Sequence, residues 1–156
     1  MSSVVGRSKP FIRVTRPEDI EELSRTMRKE DVEEIFHASG RTPKRSLEIG
    51  VRASMAPRTI EWDGKVVAIF GVVGTPGVAG APWMLGTDDL RRCWSLLREC
   101  RERLEVYTEV FHYLTNMVWS KNEVHINWIK WLGFRFEGSS VHNGEVFLHF
   151  HRTKDV

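Results

Sequence analysis

His149 and His151 flank Phe150 in a run with strand-like alternation, so both imidazoles fall on one face of a strand, a spacing that metal sites use. No third ligand accompanies them in the sequence. Two surface histidines is the plainer reading, and no metal is expected. Cys93 and Cys100 sit seven residues apart in a helical pattern, roughly 10 Å along the axis, too far for a mutual disulfide. Their apolar neighbours mark them as reduced core thiols rather than an activated nucleophile. There is no Gly-x-Ser-x-Gly elbow. Arg41, Lys44, Arg45 and Arg52 could meet phosphates, but Glu48 lies among them and a solvated helix face explains them more simply. Glycines at 71, 74, 77 and 80 recur at every third position, without the Gly-Lys-Ser/Thr ending of a phosphate-cradling loop. Residues 71–80 are therefore expected to form a flexible connection between strands. None of these sets identifies a catalytic residue.

These residues must be positioned by a scaffold, and 156 residues suffice for one domain with its own core. A single domain is expected over 11–156, behind a polar, flexible arm at 1–10. No apolar run approaches membrane-spanning length, and the first ten residues lack the apolar centre of a signal peptide. A net charge of only +2 makes nucleic acid an unexpected main partner.

Along the chain, 11–14 reads as a strand and 17–29 as a helix carrying Ile20, Leu23 and Met27, with Thr15 as its cap. A second helix over 31–38 stops at Gly40, and Thr42-Pro43 starts a third. Strands follow at 58–62 and 65–73, joined by the turn signal Asp63-Gly64, and another at 82–85. The clearest helix runs from Asp88 to about Leu104, with Leu90, Cys93, Trp94, Leu97, Cys100 and Leu104 on one face. A strand at 116–119 leads into a helix over 123–132. There Val124, Trp128, Trp131 and Leu132 share a face, Ser120 or Asn122 caps the start, and Gly133 ends it. A last hairpin, 134–137 with 145–151, turns at Asn143-Gly144. Trp128 and Trp131 are both expected to be buried.

Asn122, followed eleven and twelve residues later by Gly133-Phe134 and a strand, resembles the last helix of the GCN5-related N-acetyltransferase (GNAT) fold. The element order over about 11–151 resembles that fold too. The resemblance implies an α/β (α+β) architecture: a mixed, mainly antiparallel central sheet flanked by helices. It also implies acetyl-coenzyme A as acyl donor, its pyrophosphate held by a glycine-rich turn after the fourth strand. If the chain is active, Gly86, Thr87 and Asn122 are the residues that would hold the coenzyme.

Three departures count against activity. The segment Leu85 to Arg91 lacks the glycine-rich signature, and Asp88 and Asp89 put negative charge where phosphates would sit. Ile129 stands where active members often carry a general-acid tyrosine, and the Trp128 indole is no acid near neutral pH. Glu61, the one carboxylate offered as a base, sits at a strand end where solvation is the ordinary state. No catalytic residue and no coenzyme are therefore expected. The segments 116–119, 125–133 and Asn143-Gly144 resemble instead the short internal virion proteins of podoviruses, GNAT-like single domains of short-tailed phages. That resemblance implies a virion component acting by protein–protein contact with portal, tail or internal proteins. Phe111 to Leu114 and the 71–80 loop would be its contact elements. The alternatives are an acetyl-coenzyme A-dependent N-acetyltransferase and a host-directed binding protein.

Overall fold

Two dipeptides that tolerate positive φ build the hairpins. Asp63-Gly64 (φ 52° and 74°) joins β2 (Met55–Trp62) to β3 (Lys65–Thr75), and Asn143-Gly144 (φ 51° and 78°) joins β6 (Arg135–His142) to β7 (Glu145–Thr153). With β1 (Phe11–Val14), β4 (Ala79–Gly86) and β5 (Tyr113–Trp119) they form one seven-stranded sheet in the order β1-β2-β3-β4-β5-β7-β6. Every neighbouring pair is antiparallel except β4 and β5. The computed structural model describes residues 8–154, so the expected arm at 1–10 lies mostly outside the described residues. Ser8 accepts the Trp62 indole N–H at 3.2 Å, fastening the chain there to the β2–β3 hairpin.

The apolar run of β3 is buried on both faces because helices cover both. On one face Val66 and Ile69 pack with Leu23 of α1 (Pro17–Thr26), Ile35 of α2 (Lys29–Ser39) and Leu47 of α3 (Pro43–Ala53). On the other, Val67, Ala68 and Phe70 meet Leu90, Cys93, Leu96 and Cys100. A third cluster joins Leu104 and Phe111 of α4 (Leu97–Phe111) to Leu114, Val118, Phe134 and Phe150.

The helix expected from Asp88 begins nine residues later. Asp88–Arg92 and Trp94–Leu96 are 3-10 turns, and α4 starts at Leu97. Leu90, Cys93 and Leu96 recur every third residue and are all buried, the period of a 3-10 helix rather than an α-helix. From Cys100 the buried positions Leu104, Thr108 and Phe111 follow the wider α spacing. Buried apolar thiols hold their protons: burial pushes Cys93 to about 11 and Cys100 to about 12.

Residues 71–80 are not a flexible loop. β3 runs to Thr75 and β4 starts at Ala79, so only three residues turn. The glycines serve close approach instead: a Cβ on Gly74 would lie 2.2 Å from the Ala79 carbonyl oxygen, and one on Gly80 would strike Val72 and Phe111. Two caps also differ from expectation. Arg16, not Thr15, is the N-cap of α1, and its N–H donates to Asp19 at 2.7 Å. Asn122 precedes α5 (Glu123–Trp131), but its side chain does not cap the helix, and no Ser120–Glu123 box forms. Trp128 is 2% exposed as expected, whereas Trp131 is 42% exposed on the edge of Trp94 (ring centroids 4.0 Å apart).

Candidate active site

β4 and β5 share one backbone pair, Gly80 with Leu114. The Asn116 side-chain amide then bridges to the Pro82 carbonyl at 2.9 Å, and beyond it the strands part. The Thr87 N–H donates to Val67 on β3. Antiparallel alternation therefore turns Leu85, Trp83 and Ala81 towards β3, and Pro82, Met84 and Gly86 towards the gap. Pro82 has no N–H to leave unpaired, and the Gly86 N–H and C=O are both engaged by the start of α2. The Met84 N–H and C=O face the open gap.

α2 lies across the mouth of this gap, and its charged residues close the end of it. Arg28 precedes the helix; Asp31 and Glu34 are one turn apart on it, so both carboxyls reach the same side. Asp31 is fully buried and accepts from the Gly86 N–H (2.8 Å), Arg28 (2.9 Å) and the Asn122 amide (3.0 Å). Arg28 also donates to the Asn122 carbonyl oxygen at 2.8 Å, and its own N–H donates to the Gly86 carbonyl. Glu34 accepts through Oε1 from the Trp119 N–H of β5 (2.9 Å) and from Asn122 (3.1 Å). Its Oε2 has no hydrogen bond among the described residues. Two carboxylates thus replace the missing strand partners, Asp31 on β4 and Glu34 on β5.

His125 of α5 completes the cluster, with Nε2 3.3 Å from Asp31 Oδ2. That Nε2 makes no hydrogen bond of proper geometry, so the link is a charge contact. The two carboxyls are driven apart. Burial pushes against ionisation at Asp31, but His125, Arg28 and the Gly86 N–H overcome it and hold its pKa below the ordinary value. At Glu34 burial wins, and the pKa is raised despite His125 and the Trp119 N–H. His125 is raised as well: burial opposes its charge, and Asp31 and Glu34 outweigh burial.

A cavity of about 490 Å³ opens through the gap. Glu34, Trp83, Met84, Met117, Trp128 and Phe147 are among its walls, with Arg41 and Arg103. Trp128 and Arg103 are lining residues, but Trp128 Nε1 and Arg103 Nε are themselves closed off and without a partner, a state that costs about 1–3 kcal/mol each.

The structure brings Gly86, Thr87 and Asn122 close together, with their polar groups engaged inside the protein. Gly86 and Asn122 bind Asp31. The Thr87 N–H goes to Val67, and its hydroxyl accepts from Asp89. Glu61 is remote from the cavity, tied to Arg13 at 2.7 Å across the β1–β2 pair. Of the two sequence-adjacent histidines, His149 bonds Ser140 and His151 meets Glu137, so they do not converge. Ile129 does line the cavity. Sequence reasoning missed Glu34, Asp31, Arg28 and His125. The one available signal was apolar positions interrupted by acids one turn apart, a pattern shared by countless solvated helices. Phe111 is fully buried rather than a contact residue, and Tyr113 is 38% exposed.

No family model matches the chain, and no curated protein matches it in sequence. Solved structures do match in fold. A GNAT-family acetyltransferase from Bacillus anthracis superposes with a TM-score of 0.65 at 12% identity, over 94% of this chain and 95% of that one. The ribosomal-protein-S18-alanine N-acetyltransferase from Escherichia coli gives 0.63 at 14% identity, over 92% and 93%. An aminoglycoside acetyltransferase in complex with coenzyme A gives 0.64 at 12% identity, over 94% and 95%. At these identities the likeness is one of fold, and the fold is GNAT-like. It corrects two expectations. The virion-component reading falls, because solved acetyltransferases match over nearly the whole chain. The expected absence of a coenzyme falls with it, since matching structures carry coenzyme A.

Proposed function

We propose that this protein is an N-acetyltransferase that takes its acyl group from acetyl-coenzyme A. The observation that carries this reading is the splayed pair β4–β5, which leaves the Met84 backbone facing a cavity of about 490 Å³. A backbone N–H held open at a strand edge is a donor for an acyl carbonyl oxygen or for the amides of the coenzyme's arm.

The start of α4 removes the electrostatic objection raised by Asp88 and Asp89. With Leu97 as its first residue, the positive end of the helix lies around Trp94 to Glu99, past both aspartates, and Asp89 is paired with Arg92. Leu96 at the N-cap supplies no side-chain acceptor; the Leu97 N–H goes to the Trp94 carbonyl, and the N–H groups after it have no side-chain cap. Arg98 on that turn adds positive charge, which suits a pyrophosphate, and Glu99 beside it is paired with Arg103. The Met84 N–H would hold the acyl end, and the first turn of α4 the phosphates.

The test is calorimetric titration with acetyl-coenzyme A, followed by thiol-release assays over a panel of amines. Saturable binding in the roughly 1 μM–1 mM range usual for enzyme substrates, with amine-dependent thiol release, is expected. No binding at the upper end of that range, together with no amine-dependent release, would overturn it.

A further inference from the structure

The helix face that closes the gap carries one carboxyl oxygen with nothing to do inside the protein. We infer that Glu34 is the proton acceptor of the acyl transfer, and that the acceptor it serves is a primary amine on an apolar body. This rests on the acyltransfer reading above.

The geometry separates Glu34 from every other acid near the gap. Asp31 has both oxygens engaged and sits behind the cavity wall. Glu61 is paired with Arg13 on the far side of the sheet order. Among the acids of the described residues, Glu34 alone lines the cavity. Its Oε1 is fixed by the Trp119 N–H and Asn122, which orients the carboxyl, and Oε2 is left for a ligand. Asn122 is itself gripped by Arg28 and Asp31, so the group that aims Glu34 is buried and immobile. Burial raises the carboxyl towards the pH at which a base works best, while His125 keeps the ionised form accessible. Asp31 of α2 and His125 of α5 act on it directly, Arg28 shares Asn122 with it, and Arg41 with Cys100, Arg103 and Tyr107 of α4 are the other charged and titratable groups that line the cavity.

The step balances as follows. An ammonium R–NH3+ gives one proton to Glu34 Oε2, and the freed lone pair forms the N–C bond at the thioester carbonyl. The C–S bond breaks with its electron pair on sulfur, and the excess proton on nitrogen passes to that thiolate. Glu34 then returns its proton to water. Besides Glu34, the walls include Ile35, Ile49, Trp83, Met117 and Phe147, which favour an apolar body next to the amine. Arg41 also lines the cavity and disfavours a second positive charge on the acceptor.

The experiment compares wild type with Glu34→Gln and Glu34→Asp, using acetyl-coenzyme A with phenethylamine or spermidine as acceptor. Gln keeps an oxygen for the Trp119 N–H, so folding is checked by melting temperature, expected to move by no more than about 2–4 °C for the lost pairing with His125, and coenzyme affinity by calorimetry, expected unchanged. Glu34→Gln should lower kcat about 10²- to 10⁴-fold and abolish the acid limb of the pH–rate profile, with Glu34→Asp retaining the limb at reduced rate. Phenethylamine should exceed spermidine in kcat/KM by at least roughly tenfold. If wild type turns over but Glu34→Gln keeps kcat and the acid limb, the role of Glu34 is overturned while the acyltransfer reading stands. A reversed amine ranking overturns the acceptor class. Wild type that releases no thiol with any amine overturns both readings together.

Discussion

At the scale of single residues, the two tryptophans of α5 separate periodicity from environment. Trp128 and Trp131 lie three apart and share a helical face in projection, yet one is 2% and the other 42% exposed. α5 is short and buries His125 and Trp128, the latter stacked on Trp94 (ring centroids 5.0 Å apart), while Trp131 is its last residue. Trp128→Ala should cost roughly 3–5 kcal/mol in urea unfolding, through lost burial and a cavity. Trp131→Ala should cost well under half of that, because its ring already meets water. Equal losses for the pair would show that Trp131 is a core residue in solution.

At the scale of elements, the contact between α2 and α5 should register as a pH-dependent stability. His125 is held above its ordinary value of 6.5, against burial, by Asp31 and Glu34. A raised histidine contributes stability that is fully present below the unfolded pKa and is lost as pH rises through the folded one. Glu34, raised by burial, likewise favours the folded state at lower pH. Asp31 opposes both at the acid end: its contribution is present above the unfolded value and is lost as pH falls through its depressed folded value. The melting-temperature gap between wild type and His125→Gln should therefore be wider at pH 6 than at pH 9, by about 2–4 °C for each ~1 kcal/mol of pairing. A gap independent of pH would remove His125 from the charge network. The start of α4 makes a second element-scale prediction, for coenzyme titrations at low salt. Arg98→Glu should weaken binding at least about twofold to fivefold, the ~0.3–1 kcal/mol of a charge at a helix end, and salt should blunt the loss. Asp88→Asn with Asp89→Asn should change it less.

At the scale of the whole molecule, the open jaw of the sheet is where a ligand would stabilise the fold. Coenzyme A at a hundred times its dissociation constant should raise the unfolding free energy by about 2.7 kcal/mol. Hydrogen exchange should slow at Met84 and over the first turn of α4, while the edge strands β1 and β6 keep their rates. Protection confined to the edge strands would place the ligand elsewhere. Asn116 and Gly80 form the pivot of the jaw, and both lie on strands already sealed by antiparallel partners on their other sides. The splay is thus a local defect in a rigid sheet, and no hinge between domains is needed to make it.

The architecture was legible in local signals along the chain. Period-two runs, the Asp63-Gly64 and Asn143-Gly144 turns and the glycine after α5 are local signals, and local sterics enforce them wherever they occur. The element order, and with it the GNAT-like sheet, was legible for that reason. The site was not. Asp31 and Glu34 look like any solvated pair on an amphipathic helix, because a sequence records neither burial nor which strand edge a carboxylate will meet. Only packing placed them on the Gly86 and Trp119 N–H groups, 55 and 85 residues away along the chain. Packing also moved the start of α4 to Leu97, because β3 buries Leu90, Cys93 and Leu96 together and a 3-10 turn is the backbone that brings every third side chain to one side.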